Sequence, residues 1–249
     1  MSTSVHPAHP SDSGAEPLAA AAPHPLDNPV WFALTGAHAR FAERYGRAVR
    51  YPGDMSPFAS LEDQADPAAW ADLAELLGPG GTALVTGSPV VPGDWEVLEG
   101  GEGVQLVGTD LRVAHDPQAV LLGADDVPEV MDLISRTRPG PFASRTIELG
   151  SYLGVRENGR LIAMAGERMR PSGGTEISAV CTDPDHRGRG LASRLIRAVA
   201  AGIADRGETP FLHADPRNTN AIRLYESMGF ALRRRPLFLL VRAPGDATV

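Results

Sequence analysis

The stretch Asp-Pro-Asp-His-Arg-Gly-Arg-Gly-Leu-Ala-Ser, residues 183–193, connects a predicted strand to a predicted helix. That helix should run over 190–205, because its apolar residues recur with helical spacing. A helix N-terminus carries partial positive charge, so Arg187 and Arg189 are favourable there if an anion binds beside them. The two glycines of the stretch would let such an anion approach successive backbone N–H groups. An exposed turn with solvated arginines fits the same residues, and spacing alone does not decide between the two.

The helices and strands around this loop predict a mixed α/β fold. The step from a strand at 175–182 through the helix to a strand at 210–214 predicts a parallel pair inside a mixed sheet. Asn158-Gly159 between two apolar runs predicts a hairpin. The other predicted elements are helices at 68–77, 127–136 and 217–228 and strands at 47–51, 82–86, 104–107, 152–156, 160–167, 230–234 and 237–241.

Composition divides the chain into three predicted parts. Residues 1–25 are rich in Pro, Ala, Ser and His without apolar periodicity, so we expect a disordered tail. An N-terminal α/β domain should follow over 26–112, and a second domain over 113–249. With 249 residues and 43% hydrophobic composition, the chain can bury a substantial core.

The composition also excludes several classes of function. A formal net charge of −8 argues against a nucleic-acid or membrane-binding protein. Cys181 is the only cysteine, so one chain cannot form a disulfide or a four-cysteine zinc site, and a reducing cytoplasm is the expected location. The sequence contains no lysine, which removes Schiff-base chemistry. No apolar run reaches about eighteen residues, so we expect a soluble protein, and we expect no metal.

Three other loop types fit residues 183–193 less well. A phosphate loop needs a lysine followed by Ser or Thr, which is absent. A dinucleotide-binding turn needs a third glycine where Ser193 stands. A nucleic-acid-binding RGRG segment should have aromatic neighbours in a basic protein.

The run Arg187-Gly-Arg-Gly-Leu-Ala192 resembles the R-x-x-G-x-G/A signature of the GCN5-related N-acetyltransferases (GNAT). About thirty residues later, Asn218-Thr-Asn-Ala221, Leu224-Tyr225 and Met228-Gly229-Phe230 resemble the second motif of that family. The resemblance covers about 119–243 and is greatest to the FR47-like branch, related to glycine N-acyltransferases. It implies a GNAT fold that binds acetyl-coenzyme A in the C-terminal half. A degenerate copy of the same fold is one interpretation of the N-terminal half.

The resemblance also assigns a set of cofactor-binding residues. The strand before the loop should separate from the next strand and pair its exposed backbone with the pantetheine arm, while the loop holds the diphosphate. Asn218 would lie near the cofactor, cap the following helix, or do both. The implied residues are Val180, Cys181, Thr182, Arg187, Gly188, Arg189, Gly190, Leu191, Ala192, Ser193 and Asn218.

Two catalytic candidates follow from the same resemblance. Tyr225 matches the residue that protonates the leaving thiolate in many members, although a buried structural tyrosine is the other interpretation. Glu176 resembles a strand glutamate that serves as the base in some members, and alternation should place it on the same face as Ser178 and Val180. Glu167 is the rival base, and an exposed edge carboxylate is the alternative for either. Cys181 should face the other way, as a small core residue.

The predicted function is direct transfer of an acetyl group from acetyl-coenzyme A to a primary amine. The acceptor would be a small molecule or a peptide, and the protein a monomer or a homodimer. The alternative is a non-catalytic acyl-coenzyme A sensor or interaction module that keeps the fold.

Overall fold

A computed structural model describes residues 24–245 of the chain. The predicted disordered tail, apart from its last two residues, lies outside the described residues. No helix within 24–245 combines the length and apolar character needed to cross a membrane.

The described residues form five α-helices and thirteen strands. The helices are α1 (Pro29–Leu34), α2 (Pro67–Leu77), α3 (Val127–Thr137), α4 (Leu191–Asp205) and α5 (Thr219–Met228). The strands are β1 (Glu43–Tyr45), β2 (Ala48–Arg50), β3 (Phe58–Leu61), β4 (Thr82–Gly87), β5 (Glu96–Glu102), β6 (Val104–Val107), β7 (Val120–Leu122), β8 (Tyr152–Glu157), β9 (Arg160–Glu167), β10 (Gly174–Thr182), β11 (Thr209–Ala214), β12 (Ala231–Arg234) and β13 (Leu237–Arg242).

The strands within 24–245 make two mixed sheets, which confirms the α/β prediction. The first sheet has the order β1-β2-β3-β4-β13-β5 and the second β12-β6-β11-β10-β9-β8-β7. The hairpin of β8 and β9 turns at Asn158 and Gly159, which both have positive φ, as an Asn-Gly turn requires. The predicted parallel pair is also present, formed by β10 and β11.

The two sheets exchange one strand each. β6 lies between β11 and β12 in the second sheet, and β13 lies between β4 and β5 in the first. Each sheet therefore contains strands from both predicted domains, 26–112 and 113–249. The division into these two domains stays a prediction. Because each exchanged strand has neighbours on both sides, neither sheet is complete without the other half of the chain.

The apolar stripe of α4 packs on the second sheet as its spacing predicts. Leu195, Ile196 and Val199 share one core cluster with Leu106 of β6 and Leu212 of β11. A separate core cluster packs α2 on the first sheet. Trp70 belongs to this cluster and contacts Trp95 edge to face.

We expect Trp70→Ala to destabilise both halves together. The indole is fully buried and its Nε1–H donates to the Gln64 carbonyl, so truncation should cost about 3–5 kcal/mol. Because the sheets share strands, hydrogen exchange should show protection in β4 and in α4 falling to a similar extent. Leu121→Ala, at a side chain that is 71% exposed, is the control. If protection falls only in the first sheet, the exchanged strands do not couple the stability of the two sheets.

Candidate active site

The site begins where two parallel strands stop pairing. β10 and β11 pair only from Gly174 opposite Thr209 to Glu176 opposite Phe211. Beyond this point β11 pairs with β6 on its other side, and the β10 edge facing β11 has no strand partner among residues 24–245. The separation leaves backbone N–H and C=O groups of β10 available to an extended ligand. The predicted opening between these strands is therefore present.

A β-bulge lies in β10 at this opening. Ser178 pairs with Gly166 and Cys181 with Met164, so two residues of β10 oppose one of β9. Ala179, inside the bulge, has φ of 53°, a left-handed conformation that is uncommon for a residue with a side chain. The bulge reverses the alternation of side chains along the strand.

The reversal corrects one prediction about β10. Ile177 and Val180 both contact the core cluster under α4, whereas Ala179 and Cys181 belong to the cluster under α3. Glu176 precedes Ile177 on a regular stretch of strand, so its side chain lies on the face opposite to Val180. The expectation that Glu176 shares a face with Val180 is wrong, because it assumed an uninterrupted strand.

The loop after β10 presents a row of free backbone donors. The amide N–H groups of 188–193 donate no hydrogen bond to any other residue within 24–245. Gly188 and Gly190 have φ of 75° and 73°, and a Cβ on either would meet no atom within 4 Å. The glycines are therefore required by backbone conformation, which turns these donors and the N-terminus of α4 toward one space.

The two arginines of the loop differ in their surroundings. Arg189 donates to the Glu157 carboxylate through Nη2 at 2.8 Å. Arg187 is exposed and has no ion pair within the described part of the chain. The Arg187 guanidinium is therefore the one free to meet an anion at this loop.

The strand opening and the loop border one cavity of about 1210 Å³, which we call the loop cavity. Every predicted cofactor-binding residue lines it. Its lining comprises 137–140, 180–182, 186–193, 213–215, Arg217, Asn218, Asn220, Ala221, Leu224 and Tyr225. Asn218 also caps α5, since its side chain accepts from the Ala221 N–H; its contact with a cofactor stays a prediction.

Cys181 lines the same cavity but does not offer a nucleophile. Its side chain is buried in the cluster under α3, and this burial raises the pKa of the thiol to about 11. The sulfur is therefore a neutral core group, as the sequence predicted.

A second cavity of about 900 Å³ lies between the two sheets, and we call it the inter-sheet cavity. The second sheet contributes residues of β10 and β11, and the first sheet contributes residues of β3, β4, β5 and β13. The cavity shares Pro139, Gly140, Val180, 213–215, Arg217 and Tyr225 with the loop cavity. The N-terminal half thus builds one wall of the candidate site.

Tyr225 lies where the two cavities meet. The residue is 9% exposed and lines both of them, and its ring packs edge-to-face on Phe230. Burial raises the pKa of its phenol, so Tyr225 carries its proton at neutral pH. The hydroxyl has no hydrogen-bond partner within residues 24–245, which leaves its proton available to a ligand.

Glu176 is fully buried and lies in an ion-pair cluster. Its carboxylate accepts from Arg168 Nε at 2.8 Å and Nη2 at 2.7 Å, and from His213 Nδ1 at 2.8 Å. Burial alone would raise the pKa of Glu176, but Arg168 and His213 outweigh it and lower the pKa to about 2. Glu176 lines neither cavity, whereas Arg168 lines the inter-sheet cavity and His213 lines both.

This geometry disfavours Glu176 as the residue that takes a proton from a substrate. A carboxylate with so low a pKa, and with both oxygens occupied, is a weak proton acceptor. Glu167, the rival base, is also buried, pairs with Arg206 at 3.0 Å and lines neither cavity. The catalytic role of Glu176 stays a prediction, and its position indicates a structural one.

Comparison with known proteins identifies the family. A crystallised protein from Novosphingobium aromaticivorans, assigned as a GNAT-family acetyltransferase, is 43% identical and superposes with a TM-score of 0.81, over 91% of this chain and 100% of that one. The chain belongs to the GNAT family. The family model described as FR47-like protein matches residues 152–239 of this GNAT chain.

Two curated relatives of this GNAT protein match it over shorter spans. An N-alpha-acetyltransferase RimI from Mycobacterium tuberculosis is 36% identical over 107 residues, which are 39% of this chain and 66% of RimI. An uncharacterised protein from Mycobacterium leprae is 29% identical over 209 residues, 74% of this chain and 55% of that protein. The chain thus spans just over half of one curated relative and just under two thirds of the other.

Sequence reasoning missed two residues of this GNAT site. Arg168 and His213 hold Glu176 at the point where β10 and β11 separate, and neither was among the predicted site residues. The predicted parallel pairing of strands 175–182 and 210–214 offered a signal for His213, since it places Glu176 and His213 on neighbouring strands.

We expect Glu176→Gln to destabilise the protein by about 3–5 kcal/mol at pH 7, because the buried Arg168 guanidinium loses its counter-charge. The folded-state pKa of Glu176 is lowered, so its contribution is present above pH 4.5, the ordinary value, and is lost as the pH falls toward 2. The stability gap between wild type and variant should therefore narrow below pH 4.5, measured by urea unfolding across pH.

Glu96→Gln is the matched control for this measurement. Its partner Arg242 is exposed, so the change should cost less than about 1 kcal/mol. If the two variants lose the same free energy of unfolding, the cluster around Glu176 has no stabilising role beyond that of an exposed ion pair.

Proposed function

We propose that this GNAT protein is an N-acetyltransferase that moves an acetyl group from acetyl-coenzyme A directly to a primary amine. The observation that carries the proposal is Tyr225, whose protonated and unpaired hydroxyl lies at the junction of the two cavities. Two reactants that enter from opposite sides would meet at this hydroxyl.

The loop cavity fits the diphosphate and pantetheine parts of coenzyme A. The free amides of 188–193 and the unpaired Arg187 supply donors and positive charge for the diphosphate. The unpaired edge of β10 past Glu176, in particular Val180 and Thr182, supplies main-chain groups for the pantetheine arm. Asn218 and Ala221 lie along the other wall of the same cavity.

Acetyl-coenzyme A would supply the acetyl group as a thioester, and coenzyme A would leave as a thiol. Tyr225 holds at Oη the proton that the leaving thiolate requires, and the proton that the amine nitrogen loses as it bonds to the acetyl carbon restores the phenol. The buried and protonated Cys181 supports direct transfer, because it offers no thiolate to carry the acetyl group. Positioning both reactants in one enclosed site lowers the entropic part of the barrier.

The acceptor is a small-molecule or peptide amine that enters through the inter-sheet cavity. RimI supports an amine acceptor, since it is named as an N-alpha-acetyltransferase. The alternative function is an acyl-coenzyme A sensor without turnover. The surroundings of Glu176 favour that alternative, because this predicted base lines neither cavity and both of its carboxylate oxygens already accept hydrogen bonds from Arg168 and His213.

Tyr225→Phe should lower kcat by about 10²–10⁴-fold while leaving the Kd for acetyl-coenzyme A within about twofold, because only the proton donor is removed. Thiol release with an amine panel measures the first quantity and calorimetry the second. Tyr45→Phe, at an exposed tyrosine outside both cavities, is the matched control. Unchanged turnover would remove Tyr225 from the role, and binding without any turnover in the wild type would favour the sensor.

Arg187→Ala should weaken coenzyme A binding by about tenfold, since it removes a charge-assisted contact to the diphosphate. Arg189→Ala should weaken coenzyme A binding less than Arg187→Ala does, because Arg189 already pairs with Glu157. Pantetheine, which lacks the diphosphate, should bind both variants as it binds the wild type. If the two substitutions weaken coenzyme A and pantetheine alike, the loop is not the diphosphate site.

A further inference from the structure

The inter-sheet cavity is largely apolar where the first sheet forms its wall. Phe58 and Phe238 contact each other edge-to-face with ring centroids 6.4 Å apart, and Leu84 and Leu240 lie beside them. Leu212 closes the wall from the second sheet. A cavity of about 900 Å³ with these walls suits an apolar group of modest size.

The charged groups that line this cavity leave one negative charge without a partner. Arg168 is bound to Glu176, and Arg217 donates to Asp215 through Nη2 at 2.6 Å. Of the carboxylates on β5, Glu102 pairs with Arg235 at 2.9 Å. Glu99 is exposed and has no ion pair within residues 24–245; the pKa of Arg217 is raised mainly by its hydrogen bond to Asp215 and to a smaller extent by the Glu99 charge. The uncompensated charge of the cavity is therefore that of Glu99.

One glycine of β5 leaves space in the same wall. Gly101 pairs with Phe238 and Glu99 with Leu240, so these four residues share one face of the first sheet. A Cβ built on Gly101 would meet no atom within 4 Å, and its φ lies outside the left-handed region. The adjacent Gly100 differs, because its Cβ would come within 2.5 Å of Leu239. Gly101 therefore leaves an opening on the cavity side that a side chain would fill.

We propose that the inter-sheet cavity selects primary amines that carry an apolar, preferably aromatic, group, with Glu99 attracting the ammonium and the open face of Gly101 accommodating the body of the molecule. This inference rests on the proposed function and narrows its acceptor class. It also assigns a task to the N-terminal half, which would set acceptor specificity while the C-terminal half binds the acyl donor.

The test is calorimetric binding of phenethylamine and of hydrocinnamate to protein saturated with coenzyme A. The two probes share the phenyl group and differ in charge, so the cation should bind at least about tenfold more tightly. Glu99→Gln should reduce amine binding by about fivefold, and Gly101→Leu by about tenfold or more, because the new side chain occupies the cavity.

Two control variants separate these effects from general damage. Glu96→Gln removes a paired carboxylate of the same strand that lines neither cavity, and Gly93→Leu adds the same side chain at an exposed position with open space around it. Both should bind phenethylamine as the wild type does. Acetyl-coenzyme A affinity should be equal in all five proteins.

Equal binding of the two probes, no binding of phenethylamine, or identical behaviour of Gly101→Leu and Gly93→Leu would overturn the inference. Failure of the proposed function gives a different result, namely no thiol release from acetyl-coenzyme A by the wild type with any amine. Acetylation confined to anionic amines would keep the proposed function and reject the acceptor class.

Discussion

The hydrogen bond between His213 Nδ1 and the Glu176 carboxylate joins two strands at the point where their backbones separate. Glu176 is the last residue of β10 to pair with β11, and His213 lies two residues beyond the last paired residue of β11. The bidentate Arg168 on the same carboxylate makes the junction a three-residue cluster around a fully buried carboxylate. A buried charge is tolerated only when it is paired, so these contacts fix where the separation begins.

The loop cavity lies on the open side of this junction. The bulge at Ala179 turns Val180 toward the α4 side, and the loop then leaves the amides of 188–193 without partners. These six donors without protein partners stand together at a helix start, where the helix dipole favours negative charge, so the arrangement favours an anionic ligand.

Strand exchange explains why the N-terminal half takes part in the site. β13 crosses into the first sheet, and its Phe238 packs against Phe58 of β3 and His213 of β11. Arg168 also stacks on Phe58, with its guanidinium carbon 4.9 Å from the ring centre. The inter-sheet cavity is thus bounded by residues that the exchange holds in register, so its shape depends on both halves.

Local patterns determined much of this protein. The helical spacing of α4, the Asn-Gly turn, the parallel step from β10 to β11 and the glycine-arginine loop could all be predicted, because period, turn chemistry and short motifs act over a few residues. The resemblance to the GNAT motifs predicted Tyr225 and the cofactor-binding residues, and the structure brings these residues around one cavity.

Tertiary structure alone decided the rest. Strands β3 and β5 were not predicted, since Phe58–Leu61 is short and Glu96–Glu102 contains two adjacent glycines, and both form through partners distant in sequence. The strand exchange and the pairing of Glu176 with Arg168 and His213 likewise depend on contacts across the fold. The physical reason is that sequence periodicity predicts which face of a regular strand a side chain occupies. Tertiary packing decides which partner is buried against that side chain, and it also decides where a bulge reverses the face.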